Sequence, residues 1–512
     1  MGPPPGLAVR AGPRYPLLLA ALGVALLALL PFALSRHNPL WGDEAMFGYL
    51  AWAAHATGTP LYQVGYDSKP PGILWLYQAV RGYDAAGVGR ARLVVGMLAT
   101  ATCALLVLWL GAAASVGAGI WAGLAAALMF AYLPGQLALA ETPLTFCTTL
   151  GFYLLDRARR APAARGFLLA GLALGLASVF KQTAAAELLA ALLAIAFIPS
   201  ETTRRQRLAA AGAMASGFAA VNLAVVAWVA VTGQFSPYWG ATVGWLLGGG
   251  YPALEESRLV VVRNFWQYRL VMVQVLAVCA LVGFLAHERG GERGLTRILG
   301  LWLLLAGLAF LAPGWLTDNQ LPPLFPPFAG LAGLGLAWIA GQMAGWRPGW
   351  RAAGALALAG LALGPLADRY QIRLKQAVRN ERAAAGAPVE RLGEWIAAQV
   401  PSDQKIFVVG VEVQVYLHAH RLAPSPIYRL GLTTTPALQA RLLHDLQADP
   451  PAVVVFTDLM ELRWMQDLAA RVRREFVAGR YLRVKHPEGG EYEVYLRRDL
   501  VGRLPAEAVS AS

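Results

Sequence analysis

The chain has 512 residues, 57% of them hydrophobic and only 14% charged; an ordinary soluble domain carries roughly 25% charge, so the composition argues against a soluble enzyme. The net charge of +13 comes from 43 basic residues with no long basic run interleaved with aromatics, which sets nucleic-acid binding aside and leaves a membrane-orientation signal. Cys103, Cys147 and Cys279 all sit in apolar runs, an odd set that suits core packing rather than disulfides.

A helix needs about 20 apolar residues to cross a hydrocarbon core of ~30 Å. Stretches near that length, bounded by charges or turn residues, run at about 15–35, 92–112, 116–134, 142–155, 166–181, 184–199, 207–232, 264–286, 298–313, 322–343 and 352–367. They predict about eleven transmembrane helices. If Arg10 and Arg14 are cytoplasmic, the arginines of alternate loops fall on the same side: Arg157, Arg159, Arg160 and Arg165, then Arg204, Arg205 and Arg207, then Arg289, Arg293 and Arg297, then Arg347 and Arg351. That is the excess expected of cytoplasmic loops, and an odd number of spans leaves the C-terminal region outside.

After Asp368 charged residues become frequent and apolar runs shorten to strand length. Helix patterns at 388–400 and 436–447 alternate with the strand candidates KIFVVGV (405–411) and AVVVF (452–456). YLRVKH and EYEVYL around Gly489-Gly490 predict a hairpin. The fold class is therefore a polytopic α-helical membrane protein over 1–368 with a small extracytoplasmic α/β domain over 369–512, joined by an Arg- and Ala-rich connector at 369–387.

The first outside segment, 35–90, is far longer than a median connection of ~4 to 6 residues and looks structured. WGDEAMFGYLAWAA begins with Asp43 and Glu44, and YDSKPPG places Lys69 before Pro70-Pro71 and just after Asp67. Glu141 opens a span in the next outside turn. Each acid is either a first-turn residue favoured by the helix dipole or half of a pair for acid/base or metal work at the outer rim. Only two of the five lysines, Lys69 and Lys181, lie in the first 368 residues. Arg supplies the other fixed positive charges there, so Lys181 at the end of a span reads either as a functional cation or as a snorkelling side chain. Arg258 and Arg263 stand beside Gly248-Gly249-Gly250 in the 233–266 loop; Arg263 could meet a lipid phosphate or be a plain interfacial charge.

WGDEA, YDSKPPG, ALAETPLTF, GLALGLASVFKQ and DNQLPPLFPPFAGLAG, in this order over residues 35–335, resemble the bacterial polyprenyl-phosphate-dependent glycosyltransferases. These GT-C-type enzymes are related to the lipid A aminoarabinose transferases and the protein mannosyltransferases. The resemblance implies transfer of a sugar from a polyprenyl-phosphate donor to a glycan, lipid or protein acceptor, at the outer face of a bacterial cytoplasmic membrane. It maps a base or metal-coordinating acid onto Asp43, a donor-phosphate contact onto Lys69, the acid of the second loop onto Glu141 and the later lysine onto Lys181. Glu44 and Asp67 stand as supporting acids, Asp67 one residue before the position where members often carry Glu and this chain has Ser68.

The chemistry fits these residues independently. A phosphate leaving group departs with the help of fixed cations, which Lys69, Lys181 and Arg263 could supply, while an acceptor hydroxyl needs a carboxylate such as Asp43. Attack opposite the leaving group inverts the anomeric centre. A divalent metal ion could share the cationic work, although no ligand set stands out. The alternative is a polytopic transporter or lipid-linked sugar flippase, which would favour interrupted helices and midplane polar sites.

Overall fold

The computed structural model describes residues 14–131, 137–161, 163–198, 202–248, 258–267, 273–290, 293–312, 316–383, 387–457, 459, 463–486, 488 and 492–502. Gly249-Gly250 and the hairpin glycines Gly489-Gly490 lie outside the described residues.

The first apolar stretch is α1 (Arg14–Leu34). The long loop that follows holds α2 (Gly42–Thr57), α3 (Leu61–Val64) and α4 (Gly72–Ala79). Next come α5 (Ala85–Ala113), α6 (Val116–Phe130), α7 (Glu141–Arg160), α8 (Ala164–Phe180), α9 (Ala184–Phe197) and α10 (Arg204–Val231). Short α11 (Phe235–Trp239), α12 (Trp245–Leu247) and α13 (Arg258–Phe265) lead to α14 (Gln274–Gly290), α15 (Arg293–Leu311), α16 (Phe325–Gln342) and α17 (Pro348–Ala383). Each of the stretches expected to span therefore holds a helix. Among the described residues six helices are long and apolar enough to cross a membrane, and α6, α8, α9 and α14 are shorter apolar helices. α7 is less apolar because it carries Glu141 at its start, Asp156, Arg157, Arg159 and Arg160 at its end, and the buried Thr142, Thr145, Thr148 and Thr149 between them. Side-chain caps start several helices where the sequence turns: Asp84 accepts from the Gly87 N–H at 2.6 Å and Ser115 from the Ala118 N–H at 3.1 Å. Ser115 thus restarts the helix at a turn with no charged residue to mark it.

The C-terminal part holds α18 (Pro388–Gln399), β1 (Ile406–Val409), α19 (Gln414–Ala419), α20 (Pro436–Ala448), β2 (Val453–Phe456), α21 (Arg463–Arg471), β3 (Tyr481–Val484), β4 (Glu493–Arg497) and α22 (Arg498–Val501). Its sheet has the order β1-β2-β4-β3, with β1 parallel to β2 and the other pairs antiparallel. IFVV and VVVF are buried along their whole length, as expected of parallel strands covered on both faces. Burial alternates along β4, an antiparallel strand of the expected hairpin.

The structure gives the expected connector a secondary structure. As far as Ala383 it is the continuation of α17, so the change of composition at Asp368 falls inside one helix. The α/β unit also shares its core with the helical part, because a single cluster of buried apolar residues runs from α1 through α2 to β1 and β2. Tyr49 of α2 lies 4.8 Å from both Tyr416 and Tyr428, ring centroid to centroid, and its hydroxyl accepts the Ala423 N–H at 2.9 Å. The Tyr66 N–H donates to the Pro426 carbonyl at 2.8 Å. The first long loop and the α/β unit are therefore in direct contact at one end of the helical bundle.

Candidate active site

Asp43 and Glu44 occupy the first turn of α2, where the helix dipole favours carboxylates. As consecutive helical residues they project about 100° apart, and the structure separates them. Glu44 is fully buried and gripped by Arg92 of α5, with Nε 2.9 Å from Oε1 and Nη2 2.6 Å from Oε2. Arg92 also donates to the carbonyls of Ser35, Asn38 and Pro39, while the Ala138 N–H donates to Glu44 Oε1 at 2.8 Å. Glu44 thereby ties α2 to α5 and to the segment entering α7, and this network, rather than the chemistry, is its place.

Asp43 faces the other way and keeps 30% of its side chain exposed. Its Oδ2 lies 4.0 Å from Lys69 Nζ and its Oδ1 3.7 Å from Arg429 Nη1. Local sequence explains the lysine's position. A residue before proline is pushed out of the helical region, so Lys69 stands clear of α4. Its N–H donates to Asp67 Oδ1 at 2.8 Å, its carbonyl accepts the Tyr62 hydroxyl at 2.8 Å, and its ammonium lies 4.9 Å from the centroid of Phe47, one turn beyond Asp43. Asp67 is buried, with Oδ1 3.9 Å from Lys69 Nζ, and it fixes the turn that presents the lysine. Gly72 completes the placement: a Cβ there would lie 2.7 Å from the Val179 carbonyl oxygen, so only glycine lets α4 seat on the end of α8.

Lys181 follows immediately at the C-terminus of α8 and meets Glu141, the first residue of α7, with Nζ 2.7 Å from Oε1. Both are largely buried, at 15% and 7% exposure. Burial would raise the Asp43 carboxyl, but Lys69, Arg429 and Lys181 outweigh it and hold the group below the usual carboxylate range. Burial would lower the Lys69 ammonium, but Asp67, Asp43 and Glu141 outweigh it and hold Lys69 above its ordinary value. The Asp43–Lys69 and Glu141–Lys181 pairs therefore act on each other and form one cluster.

Of the residues expected at the site, Asp43, Asp67, Lys69, Glu141 and Lys181 come together here, and Glu44 supports them from behind. Arg263 does not join them: it is exposed on α13 and, among the described residues, forms no ion pair with the cluster. Sequence reasoning missed Arg429, one arginine in an apolar stretch of the C-terminal part with no local feature to distinguish it.

A divalent cation would need several oxygen or nitrogen ligands converging on one point. Among the described residues no three of His, Cys, Asp and Glu do so. The Asp43 carboxylate is instead turned to Lys69 and Arg429, and that of Glu141 to Lys181. Among the described residues, then, no ligand set for a cation is assembled, and no step below uses one.

No family model matches the sequence, and no curated protein sequence is similar enough to match. Solved structures do match. ArnT from Cupriavidus metallidurans in the apo state aligns with a TM-score of 0.61 at 14% identity, over 93% of this chain and 97% of that one. The same protein bound to undecaprenyl phosphate gives 0.58 at 14% identity, over 96% and 99%. The oligosaccharyltransferase AglB from Archaeoglobus fulgidus, in complex with an inhibitory peptide and a dolichol-phosphate, gives 0.56 at 13% identity, over 95% and 75%. At such identities the likeness is one of fold: the chain has the GT-C fold that its motifs resemble.

Proposed function

We propose that the chain is a membrane glycosyltransferase that moves a hexosyl or pentosyl group, with inversion, from a polyprenyl-phosphate donor to a glycan, lipid or protein acceptor. In this reading eleven helices span a bacterial cytoplasmic membrane, with the cluster and the α/β unit on the outer face. The observation that carries the reading is the partly exposed Asp43 carboxylate, kept ionised between fixed cations at one end of the bundle. The GT-C fold supports it, and so do two of its structural neighbours, one bound to undecaprenyl phosphate and one in complex with a dolichol-phosphate.

In the absence of substrate, the carboxylates neutralise the lysines. A donor phosphate entering the cluster competes for Lys69 and Lys181 and replaces Asp43 and Glu141 as their partners. Withdrawal of Lys69 restores basicity to Asp43 at the moment a base is needed. The acceptor hydroxyl oxygen then attacks the anomeric carbon from the face opposite the phosphate. Its proton passes to Asp43, and the bond from the anomeric carbon to the phosphate oxygen breaks. That electron pair remains on polyprenyl phosphate, whose growing charge the two ammonium groups stabilise.

Purified protein in nanodiscs, given a panel of labelled polyprenyl-phosphate sugars and candidate acceptors, should transfer label from at least one donor with inverted linkage. Failure across the donor panel, or a product with retained configuration, would overturn the reading.

A further inference from the structure

Arg429 reaches Asp43 from the far end of the chain. It lies on the segment between α19 and α20 that crosses α2, held there by the Tyr49 hydroxyl at Ala423 and the Tyr66 N–H at Pro426. Its guanidinium covers two successive turns of α2, with Nη1 3.7 Å from Asp43 Oδ1 and also donating to Met46 Sδ. The guanidinium packs closely over a glycine: a Cβ at Gly431 would lie 2.9 Å from Arg429 Nε and 3.1 Å from Nη2, so a larger residue there would push the guanidinium aside. Each Asp43 oxygen thus has its own cation, Oδ1 from the α/β unit and Oδ2 from the first loop.

We infer that Arg429 is a positioning residue for Asp43, by which the C-terminal α/β unit completes the active site. The inference rests on the reading of Asp43 as the base. When the donor phosphate draws Lys69 away from Oδ2, Arg429 still holds Oδ1. The carboxylate then keeps its orientation while the Oδ2 lone pair is released to take the acceptor proton. An arginine suits this task because it remains charged throughout, and its planar group orients a carboxylate better than an ammonium does.

The charged and titratable groups around Asp43 come from every element packed on it. Lys69 and Asp67 come from the first loop, Glu141 and Lys181 from the ends of α7 and α8, and Arg429 and Tyr428 from the α/β unit. Tyr77 comes from α4, and Glu44 on its own helix is neutralised by Arg92. Of these, Arg429 is not itself a proposed phosphate contact, although its charge also acts on Lys69.

The test uses the full chain in nanodiscs with Arg429→Ala, Arg429→Lys and Gly431→Ala, the last displacing the guanidinium without removing it. The protonated-carboxyl infrared band that Asp43→Asn abolishes reports the Asp43 titration without any substrate. With Arg429→Ala its midpoint should move to higher pH, kcat should fall ~10- to 100-fold, the acid limb of the rate should move up, and donor KM should stay within about twofold. Arg429→Lys should restore the midpoint but only part of kcat, and Gly431→Ala should fall between. An unmoved midpoint in the folded Arg429→Ala variant would overturn the inference. So would a raised donor KM with kcat and acid limb unchanged, which would make Arg429 a donor contact. If the wild type transfers no sugar, the functional reading fails by itself, while the infrared titration still decides whether Arg429 governs Asp43.

Discussion

Gln182 Nε2 donates a 2.6 Å hydrogen bond to the carbonyl of Ser68, joining the immediate neighbours of Lys181 and Lys69 across 114 positions of sequence. With Gly72 seated on the end of α8, this bond makes the two lysines parts of one rigid corner rather than two loop cations. Their separation is set by backbone, so each side chain's reach matters.

If both lysines hold the donor phosphate, Lys69→Arg and Lys181→Arg should each weaken donor binding and slow transfer, and alanine should be worse. The guanidinium keeps the charge but replaces a compact ammonium with a broad fork. Donor-lipid affinity and transfer rate in nanodiscs measure this. Unchanged affinity and full activity in both arginine variants would return the lysines to the role of interfacial anchors.

Asp43→Asn should lower transfer by ~10²-fold or more while the protein still inserts and melts normally, because the side chain is near-isosteric and partly exposed. Glu141→Gln should also be severe, since it leaves Lys181 largely buried without its counter-charge. Wild-type turnover by the Asp43 variant would remove the central assignment.

Glu44 should behave differently from its neighbour. Glu44→Ala strands Arg92, which is fully buried, and loss of one partner from such a pair costs about 3–5 kcal/mol. The expected result is poor folded yield and a lower melting temperature rather than a folded, inactive protein. Size-exclusion behaviour and thermal unfolding in detergent would show it; a well-folded variant lacking turnover would mean that Glu44 touches the chemistry.

Stability should respond to pH through the same cluster. The folded-state value of Asp43 lies below its unfolded one of ~3.9, so its contribution is present above that pH and disappears as pH falls through the lower value. Lys69 has the opposite sign. Its folded-state value is raised, so its contribution is fully present below ~10.4 and is lost as pH rises through the raised value. Melting temperatures of the wild type and Asp43→Asn across the acid range check the first branch, where the variant should lose less stability. Parallel acid curves would refute it.

The proposed orientation places Ser402, exposed in the α/β unit, outside, and Gly345, exposed between α16 and α17, inside. An impermeant thiol reagent applied to intact cells should label Ser402→Cys and spare Gly345→Cys until the membrane is opened. The reverse pattern would invert the topology.

Much of the helical part was legible because its determinants are local. Runs of apolar residues bounded by charges or turn residues located α1, α5 to α10 and α14 to α17. The connector's helical form was not read because composition alone marked its boundary at Asp368, whereas Arg and Ala are both strong helix formers and α17 continues through it. Lys69 and Lys181 were legible for a different reason, as rare lysines in a part of the chain that otherwise uses arginine.

The chain by itself determined where helices form and which residue types can carry charge at their ends, since both follow from neighbours within a few turns. Only the tertiary structure decided what each charge meets. Asp43 and Glu44 are adjacent and chemically alike, yet about 100° of helical rotation sends one into the bundle to Arg92 and the other outward to Lys69. Arg263 has the composition of a phosphate contact but is exposed on α13, whereas Arg429 becomes part of the site because α2 packs under the segment that carries it. Ion pairs between distant segments depend on how helices dock, and no local pattern encodes that geometry.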